Sequence, residues 1–507
     1  MLKARPALRR TVIWSTGAAA LITAGAVVAP SFGDAAPQAN VTAVAATSVQ
    51  WSPCKPDTPE WAAWKGSECA TLRLPIDWAR PDGPKFDFAI ARRKADPATR
   101  TGTLVFGPGG PGDSGVERVG TGLARFSAEV RSRFDIVSFD PRGVGRSSPI
   151  TCSPELVAER PAPEMKSQAD FEATVAYNER LRDDCREKTK PAGIFDHVDS
   201  GQTVRDLEAI RIALGEKKLT FHGSSYGTLL GAQYAETYPR NLRALVLESV
   251  MDRGVPTTRA FVKDGAAAGQ DLFNEFVEWC ADKGNTDCAL RGRDVRAVWT
   301  TLLAKAERGE LATPARLAGK LGPRLTANDL VNMVAFRSFY QANFKVLSAD
   351  IVEMETREAS GPPAKLSPVP PAWPVFCGDW RLPARNYREY ASLVRTMNKT
   401  APDMPYLLPA RLVTSCLGGP TANPQHRLKP AARTAPPVLL VNSMHDPATP
   451  HKWAASVERQ FGRKSVLLTY DGRGHGSSND TRCMESAVDA YLTDLKLPAR
   501  GTHCPAA

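Results

Sequence analysis

Leu219-Thr220-Phe221-His222-Gly223-Ser224-Ser225-Tyr226-Gly227-Thr228-Leu229-Leu230 is the stretch on which the reading of the chain turns. A short apolar run enters a Gly-x-Ser-x-Gly and leaves into an Ala/Leu/Tyr-rich segment of helical character. That context predicts a strand turning sharply into a helix, with a serine hydroxyl held above a sheet. The glycines have a mechanical reason: the turn is strained, and its flanking backbones crowd each other. Only Ser225 has glycine two residues away on both sides, so it is the nucleophile candidate and Ser224 a neighbour. By itself the motif also fits an ordinary loop, and the flanks must decide.

Upstream, strand-like runs occur at Ala70–Ile76 and Phe86–Arg92, with a Pro-Asp-Gly-Pro turn between them at 81–84. Thr103–Phe106 is a buried run opening into Gly107-Pro108-Gly109-Gly110-Pro111-Gly112-Asp113-Ser114-Gly115, and Phe134–Phe139 ends in Asp140-Pro141-Arg142-Gly143-Val144-Gly145-Arg146-Ser147. The glycine loop lacks the Gly-Lys-Ser/Thr ending of a phosphate cradle, and its prolines remove amide donors. An oxyanion loop or a plain turn remains. A polar segment runs to about Gly201, then an amphipathic helix from Gln202 to Leu214 precedes the serine strand, and Ala244–Leu247 follows it. Strands alternating with helices predict a parallel α/β core.

From about Val255 to Lys429 the pattern becomes mostly helical, as at Gly269–Cys280, Val295–Arg308 and Ala327–Phe344, with a Pro-rich connector from Gly361 to Pro374. Strands resume at Pro437–Asn442 and Ser465–Tyr470, and a helix over Glu485–Leu495 closes the chain. The expected architecture is a mostly parallel eight-stranded sheet with an inserted helical cap. Its divisions are a leader at 1–45, core at 46–254, cap at 255–429 and core again at 430–507.

The leader combines Lys3, Arg5, Arg9 and Arg10 with an apolar run from Thr11 to Ala29 and small residues at Ala43-Val44-Ala45, the layout of a secretory signal peptide. A permanent membrane anchor is the alternative, but Ser15, Thr16, Gly17, Thr23 and Gly25 interrupt the run. Export, and no stable membrane association after cleavage, is expected. The net charge is +11, and loss of the leader with its four basic residues and Asp34 leaves +8. These charges are scattered without aromatic interleaving, which argues against nucleic-acid binding. All ten cysteines lie after the leader, and an even count in an exported chain predicts five disulfides, with pairing of neighbours in order as one possibility. No Cys/His ligand spacing occurs, so neither a metal nor a cofactor is expected.

Three candidates stand at strand ends in the order Ser225, Asp446, His475. Serine is a poor nucleophile at neutral pH and needs a histidine to take its proton, while a carboxylate orients that histidine. Asp446 could instead cap a helix starting near Thr449, and His475 could be an exposed loop histidine. The Tyr226 amide and one from Gly109 or Gly110 are the candidate oxyanion donors.

Pro108–Gly112, Asp140–Ser147, Gly223–Gly227, Asp446-Pro447-Ala448-Thr449-Pro450 and Gly474-His475-Gly476 occur in that order. Together they resemble the proline iminopeptidase and tripeptidyl aminopeptidase family of α/β-hydrolases, most closely its secreted tripeptidyl branch. The resemblance implies an α/β-hydrolase fold and a serine aminopeptidase releasing short peptides, tripeptides above all, from substrates with a free N-terminus; a monomer is expected. A secreted carboxylesterase with the same triad and a non-catalytic hydrolase-like binding protein are the alternatives. The chain departs from the family at Gly107-Pro108, where relatives usually carry Asn-Pro or His-Gly, and at Asp113, where glycine is common. Asp113 is a candidate for contacting a substrate amine, and so is Glu248 at the end of the sixth strand. For Glu248 a structural carboxylate bonded to loop amides is the competing reading.

Overall fold

The computed structural model describes residues 49–55, 64–162, 164–361 and 373–507. The leader and most of the Pro-rich connector lie outside these. Ten strands form one sheet: β1 (Ser52–Pro53), β2 (Ser67–Pro75), β3 (Lys85–Arg93), β4 (Gly102–Gly107), β5 (Phe134–Phe139), β6 (Leu219–Ser224), β7 (Leu242–Glu248), β8 (Val438–His445), β9 (Ser465–Arg473) and β10 (His503–Cys504). Their order is β1-β2-β3-β5-β4-β6-β7-β8-β9-β10. Pairing is antiparallel from β1 to β3 and between β3 and β5, and parallel from β5 through β10. Eight of these strands are the expected ones. The two extra strands are two-residue pairings at the sheet edges.

Both faces of the parallel strands are covered, which is why they read as continuous apolar runs. Val105, Phe221, Leu245, Leu247 and Leu440 pack on one face with Leu230 and Tyr234 of the helix Gly227–Thr237. Leu104, Phe106, Ala244, Val246, Leu439 and Leu468 pack on the other with Met484, Tyr491 and Leu492 of the helix Arg482–Asp494. The two-residue period of a strand produces this division.

Strands stop at Glu248 and resume at Val438. The intervening helices include Thr258–Ala281, Val295–Glu307, Phe344–Thr356, Trp373–Asp379, Tyr387–Thr400 and Leu408–Cys416. The helix expected over Ala327–Phe344 starts at Ala327, passes through a π-helical turn at Leu330–Phe336 and ends at Tyr340, before a break at Ala342 with φ +52°. These helices bury their own core, drawn entirely from Ala266 to Leu407 and centred on Phe273, Phe276, Trp299 and Phe339. A separate cluster joins cap to sheet, with Val375, Phe376 and Trp380 against Tyr226, Leu229 and Trp453.

The polar segment before Gly201 is a correction. Gln168–Lys188 is a helix, buried along Phe171, Thr174, Tyr177, Asn178, Leu181 and Cys185. The disulfide Cys152–Cys185 ties it down, and the other four bonds are Cys54–Cys69, Cys280–Cys288, Cys377–Cys416 and Cys483–Cys504. Each cysteine pairs with its neighbour in sequence. Among the described residues no helix is long and apolar enough to cross a membrane.

Candidate active site

Strand register brings the candidate residues to one edge of the sheet. Gly107 pairs with Gly223, Ser224 with Glu248, Glu248 with Val441 and His445 with Arg473. The segments just beyond these residues carry Gly109, Ser225, Asp446 and His475. Chain direction across the sheet reverses at β4, which has β5 on one side and β6 on the other, and ligands of open α/β sheets bind at such a point.

The elbow shows why its glycines are required. A Cβ on Gly223 would lie 2.4 Å from the Gly227 carbonyl oxygen, and one on Gly227 would lie 2.3 Å from that of Gly107. Ser225 itself sits at φ +54°, a conformation that costs a non-glycine residue about 1–3 kcal/mol and persists only where the surroundings enforce it. Its amide is held by the Glu248 carbonyl at 2.8 Å. The glycine loop lies directly on the serine: a Cβ at Gly109 would stand 3.0 Å from Ser225 Cβ and 3.6 Å from its Oγ. Among the described residues, the amides of Tyr226, Gly109 and Gly110 donate no hydrogen bond.

Asp446 and His475 meet. Both carboxylate oxygens lie 3.0 Å from His475 Nδ1. Asp446 also accepts the Ala448 and Thr449 amides and the Thr449 hydroxyl, so it organises its own turn while facing the imidazole. His475 is not an exposed loop histidine, since its side chain is 3% exposed. Nε2 is buried without a hydrogen-bond partner, and no bond joins it to Ser225 Oγ. Such contacts are commonly loose until substrate binds. An imidazole with one nitrogen held by a carboxylate and the other open can accept and return a proton.

The motif Asp140–Ser147 supports the site. Asp140 accepts the Ser114 hydroxyl and the amides of Val116 and Arg146, clamping the far end of the glycine loop to β5. Arg142 is fully buried, pairs with both oxygens of Asp206, and donates to the carbonyls of Pro75, Ile76 and His197.

The two candidate amine contacts fall in different places. Glu248 is 1% exposed. Its Oε1 accepts the amides of Ser477 and Ser478, and its Oε2 meets His222 Nε2 at 3.0 Å and Arg125 at 3.5 Å. Burial alone would raise this carboxyl, but the Arg125 guanidinium, His222 and Ser478 hold it well below the usual range. Both oxygens are engaged, and the two serine amides tie Glu248 to the His475 loop. Asp113 is at the surface and pairs with Arg118 at 3.0 Å.

Sequence reasoning missed Tyr340, whose ring packs against His475, and Asp379, which receives the Tyr226 phenol. Both lie in the helical insertion, where no motif marks them. Among the described residues one cysteine and carboxylate group, Cys152, Asp184 and Cys185, is close enough to hold an ion, but both of its cysteines are in a disulfide.

Residues 408–504 match a family model described as TAP-like protein. With the sheet order above, this fixes the fold. The chain has an α/β-hydrolase fold and a carboxy-terminal segment that is TAP-like. Across most of its length this α/β-hydrolase is similar to three curated proteins. It is 29% identical to the serine protease Hip1 of Mycobacterium tuberculosis, over 90% of this chain and 91% of the relative. It is 29% identical to a tripeptidyl aminopeptidase of Streptomyces lividans, over 91% and 87%. It is 28% identical to carboxylesterase B of Mycobacterium tuberculosis, over 91% and 91%. It is a serine hydrolase.

Proposed function

We propose that this hydrolase is a secreted serine aminopeptidase that releases short peptides, tripeptides above all, from substrates with a free N-terminus. The observation that carries the reading is the Asp446–His475 pair at the ends of β8 and β9, on the same sheet edge as a serine on a strained elbow. Ser225 Oγ attacks the scissile carbonyl while His475 Nε2 takes its proton. Asp446 holds the imidazole tautomer and stabilises the imidazolium. The Tyr226 amide and one from Gly109 or Gly110 receive the oxyanion. His475 returns the proton to the leaving amine, and water then hydrolyses the acyl-enzyme by the same route.

The cap supports exopeptidase action, because its helices reach the histidine loop. The similarity to a tripeptidyl aminopeptidase supports the tripeptide. Export is supported by the basic and apolar leader together with five disulfides. The protein is taken to act as a monomer.

A secreted carboxylesterase is the second reading, favoured by the similarity to carboxylesterase B. Chromogenic tripeptides with free and blocked N-termini, compared with a simple ester, separate the two. Turnover of the free tripeptide alone is expected. Equal turnover of free and blocked forms overturns the aminopeptidase.

A further inference from the structure

The residue after the nucleophile is anchored in an unusual way. Tyr226 is 5% exposed, and its phenol donates to Asp379 Oδ2 at 2.5 Å. Asp379 belongs to the cap helix Trp373–Asp379 and is completely buried. Its other oxygen accepts the Ser200 amide at 2.9 Å, the Ser200 hydroxyl at 2.7 Å and Asn423 Nδ2 at 3.2 Å. Gln233, in the helix that starts at the elbow, donates to Ser200 Oγ and accepts from Asn423. One cap carboxylate therefore gathers donors from the elbow, from the start of the helix Ser200–Ala213 and from the segment leading to β8.

Every group hydrogen-bonded to Asp379 is a donor, so the arrangement is complete only when the carboxylate is ionised. The backbone it restrains needs restraint. Ser225 is held at positive φ, and the peptide joining Ser225 to Tyr226 carries an N–H that makes no hydrogen bond with the described residues.

We propose that Asp379 is a positioning residue: by accepting the Tyr226 phenol, it fixes the Ser225–Tyr226 peptide so that the Tyr226 N–H is aimed at the developing oxyanion. This rests on the reading of Ser225 as nucleophile. Asp379 touches no substrate, and it acts through Tyr226. The cap is thereby part of the catalytic apparatus as well as a cover.

The arrangement is sensitive to pH. Burial, aided by the Asp199 carboxylate and opposed by the Ser200 and Tyr226 hydrogen bonds, raises Asp379 to about 6. The charged or titratable groups around it are Asp199 at the start of the helix Ser200–Ala213, Tyr226 from the elbow, and Arg253, which in turn interacts with Glu236 and is in contact with His426. A proton on Oδ2 displaces the phenol as donor, and Tyr226 then has only the Val375 carbonyl, at 3.5 Å, to turn to. Asp379→Asn builds the protonated pattern permanently, because its amide nitrogen donates where the carboxylate accepted.

The test uses a fluorophosphonate, in which Ser225 Oγ attacks phosphorus and fluoride leaves, so that labelling depends on the oxyanion donors and not on the peptide bound. Labelling rates of the full protein are measured from pH 5 to 8 for wild type, Asp379→Asn, Tyr226→Phe and the double variant. Each single change is expected to slow labelling roughly tenfold to a hundredfold, the range that small misplacements produce. The double variant is expected to be no slower than the worse single one, because the two residues act as one unit. The acid limb is expected to be shallower by one proton in Asp379→Asn. Labelling of both variants at the wild-type rate with an unchanged acid limb overturns the proposal, whatever their melting temperatures. Should Asp379→Asn not fold, Tyr226→Phe, which removes a single hydroxyl, carries the rate comparison. A wild type that is not labelled at Ser225 overturns the nucleophile reading and the proposal together.

Discussion

Tyr340 lies against His475, with ring centroids 4.3 Å apart, and its carbonyl accepts the His475 backbone N–H at 3.0 Å. The last turn of a cap helix thus holds the imidazole by its face and by its backbone. Only the ring contact can be removed by mutation. Tyr340→Ala is expected to lower kcat/KM on tripeptide substrates by up to about tenfold, since an aromatic pair contributes about 0.5–1.5 kcal/mol. Tyr340→Phe keeps the ring and is expected to stay near wild type in the same assay.

Ser225→Ala is expected to abolish turnover and leave the melting temperature within a few degrees of wild type. Asp446→Asn keeps the shape of the turn but presents the wrong partner to Nδ1, and is expected to lower kcat about 10⁴-fold. Steady-state kinetics with circular dichroism melts check both. Substantial activity in Ser225→Ala moves the nucleophile elsewhere.

Glu248→Gln separates a loop clamp from an amine-binding group. It is expected to lower stability and kcat, and to affect free and N-blocked substrates by the same factor. Selective loss on the free amine supports the amine reading. Because the folded-state pKa is depressed, the contribution of Glu248 to stability is complete above the unfolded value of about 4.3 and is lost as pH falls below it. Urea melts of wild type and variant are expected to converge in that acid range.

Arg142→Ala strips a fully buried carboxylate, Asp206, of its cation, although the Trp78 indole continues to donate to it. Breaking a buried pair from one side costs about 3–5 kcal/mol. Denaturant unfolding is expected to show a loss of this size. A change under 1 kcal/mol contradicts the buried placement.

Removal of the Cys377–Cys416 bond, which closes a separation of 39 residues, is expected to cost about 3–4 kcal/mol by the chain-entropy account. The bond holds the helix that carries Asp379, so Cys377→Ser with Cys416→Ser is also expected to slow labelling of Ser225. Melting and labelling measured on the same sample check the two effects.

The parallel core was legible in the sequence because strands buried on both faces read as unbroken apolar runs, each ending in a glycine or acidic cue. The helix Gln168–Lys188 was not, because its buried stripe mixes Thr174 and Asn178 with Phe171 and Leu181 and so shows little periodicity. The edge pairings at Ser52–Pro53 and His503–Cys504 are too short to leave a pattern. Asp446 and His475 could be picked out by their place after strands. Tyr340 and Asp379 could not, since their significance comes from contacts across about 135–155 residues of sequence. For Glu248 the strand end was legible, but the His222 and Arg125 that meet its carboxylate are visible only in three dimensions.

The core between Ala266 and Leu407 is distinct from the clusters on either face of the sheet. An insertion that packs upon itself and enters and leaves the hydrolase between β7 and β8 is a natural unit for recombination. Selectivity can be re-engineered by grafting another cap at that junction while the strand ends are left alone. One chemical condition on the graft, besides the Tyr340 contact with His475, is that it must present a hydrogen-bond acceptor where Asp379 now meets the Tyr226 phenol. Chimeras that meet it are the ones in which the transplanted specificity should arrive with its rate intact.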